Sequence, residues 1–135
     1  MGKRMERVKA NELRIGNLIY AVHEESESIR VVDIWFLEHQ LNYEEDPYAD
    51  EFSRGWWYTP IPLTPELLEM AGFEYIEYRS KWQKSDFIFQ LEDLNELSDG
   101  FGLTHGFSVD IAIKYLHQLQ NLFFSLCGKE LEIKL

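Results

Sequence analysis

One cysteine, Cys127, is all the sequence holds. It can close no disulfide within the chain, and no Cys–His cluster has zinc-site spacing, so a reducing compartment is expected. Cations are scarce as well: 13 Lys and Arg against 24 Asp and Glu leave a net charge of −11. Such a chain repels a phosphate backbone, and direct nucleic-acid binding is disfavoured. No run approaches the roughly 18 apolar residues that a membrane span needs. No apolar stretch follows Lys3 and Arg4, so no secretory leader is expected. These absences point to a cytoplasmic protein with no membrane attachment. The catalytic signatures are missing too. His105-Gly-Phe-Ser108 lacks the full Gly-x-Ser-x-Gly elbow. Asp46 and Asp50 do not follow a calcium-loop pattern, whose glycine is absent. There is no glycine-rich phosphate cradle. His23, His39 and His105 sit in different segments without ligand spacing. No catalytic residue, metal ligand or cofactor is assigned.

What is present is material for a core. Hydrophobic residues make up 45% and aromatics 15% of the 135 positions, which excludes global disorder and fits one domain. Near the end, Tyr115, Leu116, Leu119, Leu122, Phe123 and Leu126 recur at helical spacing. Lys114, His117, Gln118, Asn121 and Ser125 fall on the other side of this long C-terminal helix, and Gly128 is placed to end it in a left-handed cap. Leu119 and Phe123 are expected to be almost fully buried.

The remaining elements read in chain order. Met1 to Lys9 is polar, frayed or a short helix. Leu18 to Val22 is a strand after the Gly16-Asn17 turn. Glu24 to Ser28 is a polar hairpin loop. Ile29 to Leu37 is apolar on both faces and reads as a central strand. Gln40 to Ser53 has no periodicity and reads as a surface excursion loop. Trp56 to Thr59 is a strand stopped by Pro60 and Pro62. Thr64-Pro65-Glu66 starts a short middle helix that Gly72 ends. Phe73 to Tyr78 is a strand, and Trp82 to Leu91 one or two more. Gly102 to Ile113 is ambiguous: Val109, Ile111 and Ile113 alternate as in a strand, yet Ser108 or Asp110 could cap an early helix start. Leu131, Ile133 and Leu135 alternate as in a final strand. Short turns between strands require antiparallel order. The expected fold is a single α+β domain over residues 1–135. Its curled antiparallel sheet, an SH3-like barrel in the N-terminal half being one form, is packed by the long C-terminal helix and the short middle helix.

Three stretches carry a resemblance: Asn11-Glu-Leu-Arg-Ile-Gly-Asn17, Pro62-Leu-Thr-Pro-Glu-Leu-Leu with Gly72-Phe73, and Ile113 to Phe124 with Gly128-Lys-Glu-Leu131. In this order they resemble a set of small uncharacterised proteins of Bacteroidetes bacteria and their phages or mobile elements. The last motif is the most specific, commonly Tyr-Val-His-Gln-Leu-Gln-Asn-Leu-Tyr-Phe-Ala-Leu-Thr-Gly. Leu116, Phe123, Ser125 and Cys127 depart from it here, mostly conservatively. The resemblance implies a kind of protein and no activity.

The candidate binding residues form two groups. His117 and Asn121 share a helix face with Gln118 between them. Imidazole beside carboxamide suits a polar ligand, against the plainer reading of a solvated face or of side chains tied to nearby backbone. Trp56, Trp57 and Tyr58 are adjacent on a strand, so Trp56 and Tyr58 share one face and Trp57 takes the other. A two-sided core explains them; so does a protein interface. Glu24, Glu25, Glu27, Asp33, Glu38, Glu44, Glu45, Asp46, Asp50 and Glu51 form an acidic belt relieved only by Arg30, and solubility is its plainest use. The expected function is a non-enzymatic protein-interaction module, an accessory protein of a phage or mobile element, with an unknown protein partner. The alternatives are an acidic DNA mimic that inhibits a host nucleic-acid-binding protein, and an unrecognised enzyme.

Overall fold

The computed structural model describes residues 6–46, 55–94, 100–105 and 108–135. The architecture is mixed α+β with two antiparallel sheets. The chain falls into two compact units, residues 1–61 and 62–135.

In the first unit β1 (Leu18–His23) is flanked by β2 (Ser26–Val31) and β3 (Trp56–Thr59). Leu18 faces Val31 and Val22 faces both Glu27 and Trp57. The β1–β2 turn is tighter than the expected loop: only Glu24 and Glu25 separate the strands, and Glu24 takes a left-handed φ of 55°. The Ser26 hydroxyl supports the turn by donating to the His23 carbonyl at 2.9 Å.

Ile29 to Leu37 is not one central strand. β2 stops at Val31 and lies at an edge, and Ile34–Glu45 is a helix, α1. Asp33 decides this: its Oδ1 accepts from the Phe36 N–H at 2.8 Å, which caps the first turn. The helix also consumes residues 40–45 of the expected excursion loop. Its buried side runs through Phe36 and Gln40 with Leu37 and Tyr43 packed beside them. The helical period is real, but Gln40 hides it from any count of apolar residues. Gln40 Nε2 donates to the Val8 carbonyl at 3.1 Å and to Glu44 Oε2 at 2.9 Å, so a polar side chain holds a core position. The part of the loop at 47–53 lies outside the described residues.

Among the described residues the three-stranded sheet, in the order β2-β1-β3, is not closed into a barrel. The core is Val8, Ile19, Ala21, Val32, Phe36 and Tyr58, with Phe36 edge-on to Tyr58 at 4.9 Å. Residues 6–9 are neither frayed nor helical. Val8 is buried, and its N–H donates to the Tyr58 carbonyl at 3.0 Å.

The second unit opens on α2 (Pro65–Met70). Thr64 Oγ1 accepts from the Leu67 N–H at 3.2 Å, Pro65 occupies the first turn, and Gly72 ends the helix at φ 92° with Phe73 packed back into the core. Then β4 (Glu74–Ile76), β5 (Lys81–Lys84), β6 (Phe87–Asp93), β7 (Phe101–His105) and β8 (Ser108–Ile113) form a five-stranded meander in chain order. The described parts of the ambiguous stretch at 102–113, residues 102–105 and 108–113, are therefore strand, and 106–107 lie outside the described residues.

α3 (Leu116–Cys127) lies against this sheet, with Leu116, Leu119 and Phe123 fully buried and the Phe123 ring 5.5 Å from Phe87. Gly128 ends it at φ 73°, its N–H donating to the Phe124 carbonyl at 2.9 Å. The expected final strand does not form. Leu131 is buried, but the backbone N–H of Lys134 is spent on the Met70 carbonyl at the end of α2 rather than on a strand.

A candidate interaction groove beside strand β8

Only Lys114 and Tyr115 separate β8 from α3, so the helix turns back beside the strand that precedes it. Tyr115 has no short oxygen to cap the helix. Gln118 reaches back instead: its Oε1 accepts from the Lys114 N–H at 2.8 Å and the Tyr115 N–H at 3.0 Å. With its oxygen held twice, the amide plane is fixed and its Nε2 is presented as an oriented donor.

Gln118, Asn121, Leu122 and Ser125 follow at i, i+3, i+4 and i+7 and form one wall of a groove of about 350 Å³. Ile111, Ala112 and Ile113 of β8 form the other wall. Ile111 is 52% exposed, large for an apolar strand residue. Among the described residues β8 itself pairs only with β7, while just past its end the Leu63 N–H donates to the Lys114 carbonyl at 2.9 Å and Pro62 bridges Tyr115, so the outer edge stays open only along Ser108–Ile113.

His117 is not with Gln118 and Asn121 on this face. It is 2% exposed, stacked 5.9 Å from the Tyr115 ring, and among the described residues its buried Nδ1 has no hydrogen-bond partner. Burial pushes its pKa down to about 4. The expectation of a solvated polar side fails here because the buried arc of α3 is wider than its apolar stripe. It takes in His117 and Gln120, which are three residues apart, while Leu126 stays exposed.

Trp56, Trp57 and Tyr58 belong to the first unit, and strand alternation separates them as expected. Tyr58 is in the core, and Trp56 packs against that core, 4.7 Å from His23 and parallel to Tyr58 at 6.2 Å. Trp57 points the other way and carries the Arg7 guanidinium 3.8 Å above its ring, with Tyr43 at 4.7 Å from the same cation. Arg7 Nη2 also donates to the Trp56 carbonyl at 3.2 Å, and burial lowers the guanidinium pKa. These contacts tie Trp56 and Tyr58 to packing within their own unit.

Among the described residues no group of three His, Cys, Asp or Glu side chains gathers as a metal site, and no helix is long and apolar enough to cross a membrane. The β8 wall of the groove had a faint sequence signal in the alternation of Ile111 and Ile113; nothing in that alternation says that the strand is an edge. No family model, curated protein or solved structure matches the chain.

Proposed function

We propose that the chain is a non-enzymatic protein-interaction module, an accessory protein of a phage or mobile element, that takes an extended segment of a partner protein along β8. The observation that carries this is the groove between an open strand edge and α3. An added strand would satisfy the free backbone groups of β8, and the groove would receive its alternate side chains. The oriented Gln118 amide offers a donor to a carbonyl of the incoming segment. The accessory role draws on the resemblance, whose most specific motif supplies the helical wall. The enzyme reading has less behind it, since the polar side chains lining the groove are Gln118, Asn121 and Ser125 and none of them titrates.

The test is selection of peptides from a displayed random library on the intact chain, followed by amide chemical-shift mapping. Binders should perturb residues 111–113 and 118–125. Ile111→Glu and Ser125→Arg, both at exposed positions, should abolish binding while the melting temperature stays within a few degrees. A footprint elsewhere, or full affinity in Ser125→Arg, would sink the groove. Capture of host nucleases or polymerases that is lost when Glu24, Glu25 and Glu27 become Gln would support the DNA mimic instead.

A further inference from the structure

A surface helix normally turns its polar side outward. α1 sets large apolar side chains among the polar ones on that side. Its outer face presents Ile34, Trp35 and Leu41, which are 69%, 49% and 53% exposed. Glu38 and Glu45, also exposed, lie among them on the same side of the helix. The helix Ile34–Glu45 contains no Lys or Arg. The nearby Arg30 is already engaged, 5.2 Å over Trp35, 5.1 Å over Phe36 and 3.9 Å from Asp33 Oδ1. The core needs none of the outward residues, because Phe36 and Gln40 fill the inner side.

We infer that this face of α1 docks a basic amphipathic helix of a partner protein. Ile34 and Leu41 are seven residues apart, two helical turns or about 10 Å, a spacing that a facing helix can match with its own apolar seam. Lysines or arginines flanking that seam would meet Glu38 and Glu45. Charge selects against the other occupants. A second copy would set the same carboxylates against each other, and an anionic lipid surface or nucleic acid would face a chain of net charge −11. This surface belongs to the first unit and stands independently of the groove beside β8.

The experiment titrates the intact chain with a synthetic leucine–lysine peptide whose leucines have helical spacing. The controls are its scrambled order and a leucine–glutamate peptide of the same pattern, and the reporters are calorimetry and the circular dichroism of the peptide. The patterned cationic peptide should bind and become helical, and the two controls should not. Ile34→Ser with Leu41→Ser should remove binding and leave the melting temperature nearly unchanged. Glu38→Gln with Glu45→Gln should weaken it on the order of tenfold. Equal affinity for the scrambled peptide, or undiminished affinity in the Ile34/Leu41 variant, overturns the inference. So does a concentration-dependent dimer that this variant abolishes, which would make the occupant a second copy.

Discussion

His117 holds an imidazole under the first turn of α3, where its charged form is excluded from water. Its folded pKa of about 4 lies below the ordinary 6.5, so between those values the unfolded chain binds a proton that the folded chain does not. The contribution is therefore fully present above pH 6.5 and is lost as pH falls to about 4. It amounts to on the order of 3 kcal/mol. Urea unfolding of the wild type and of His117→Leu over this range isolates it from the carboxylates: the wild type should lose stability more steeply. Parallel pH profiles would show a solvated imidazole. Leu119, fully buried on the same helix, supplies a packing test. Leu119→Ala should cost about 2–5 kcal/mol, and a loss under about 0.5 kcal/mol would mean that the stripe faces solvent. Gln40 tests a half-satisfied buried amide: its Nε2 donates twice, and among the described residues its buried Oε1 has no hydrogen-bond partner. Gln40→Ala strips the Val8 carbonyl of a donor and should cost about 1–3 kcal/mol, a larger effect than any exposed position of α1 should give.

At the scale of elements, capping explains which helices could be read in advance. Thr64-Pro65 and Gly128 act on backbone groups a few residues away, so α2 and the end of α3 were legible from the residues alone. Asp33 is an equally good cap, yet the apolar residues from Ile29 to Phe36 suit a strand buried on both faces as well as they suit a strand followed by a helix. Asp33→Ala should cost about 1 kcal/mol in thermal unfolding. No change would mean that packing of Phe36 alone starts the helix. β2 illustrates the opposite difficulty: Ile29 and Val31 are exposed on an edge strand despite their apolar character. Nothing local distinguishes an edge strand from a central one, because that depends on which strands arrive beside it.

For the whole molecule, the net charge of −11 sets the response to salt. Screening of self-repulsion should raise the melting temperature between about 0.01 and 0.5 M NaCl, where the Debye length falls from roughly 30 Å to a few ångström. A falling melting temperature would mean that pairs such as Lys129–Asp86, at 2.9 Å, outweigh the general repulsion. Deleting Tyr43 to Glu51 removes more than a surface loop, because residues 43–45 belong to α1. Tyr43 packs on the first unit's core and Glu44 Oε2 accepts from the Ala10 N–H at 2.8 Å, so the deletion should destabilise that unit. The amino-acid order alone determined the α+β class, the antiparallel pairing, α2, α3 with its Gly128 stop, and the split of Trp56 and Tyr58 from Trp57. Caps, turns and periodicity carry those features over a few residues. Only the tertiary structure decided that α1 is a helix, that His117 is buried, that the last residues make no strand, and that β8, among the described residues, pairs with a strand on one side only. Each of these depends on partners distant in sequence: Gln40 sits in a core because Val8, 32 residues earlier, lends it a carbonyl.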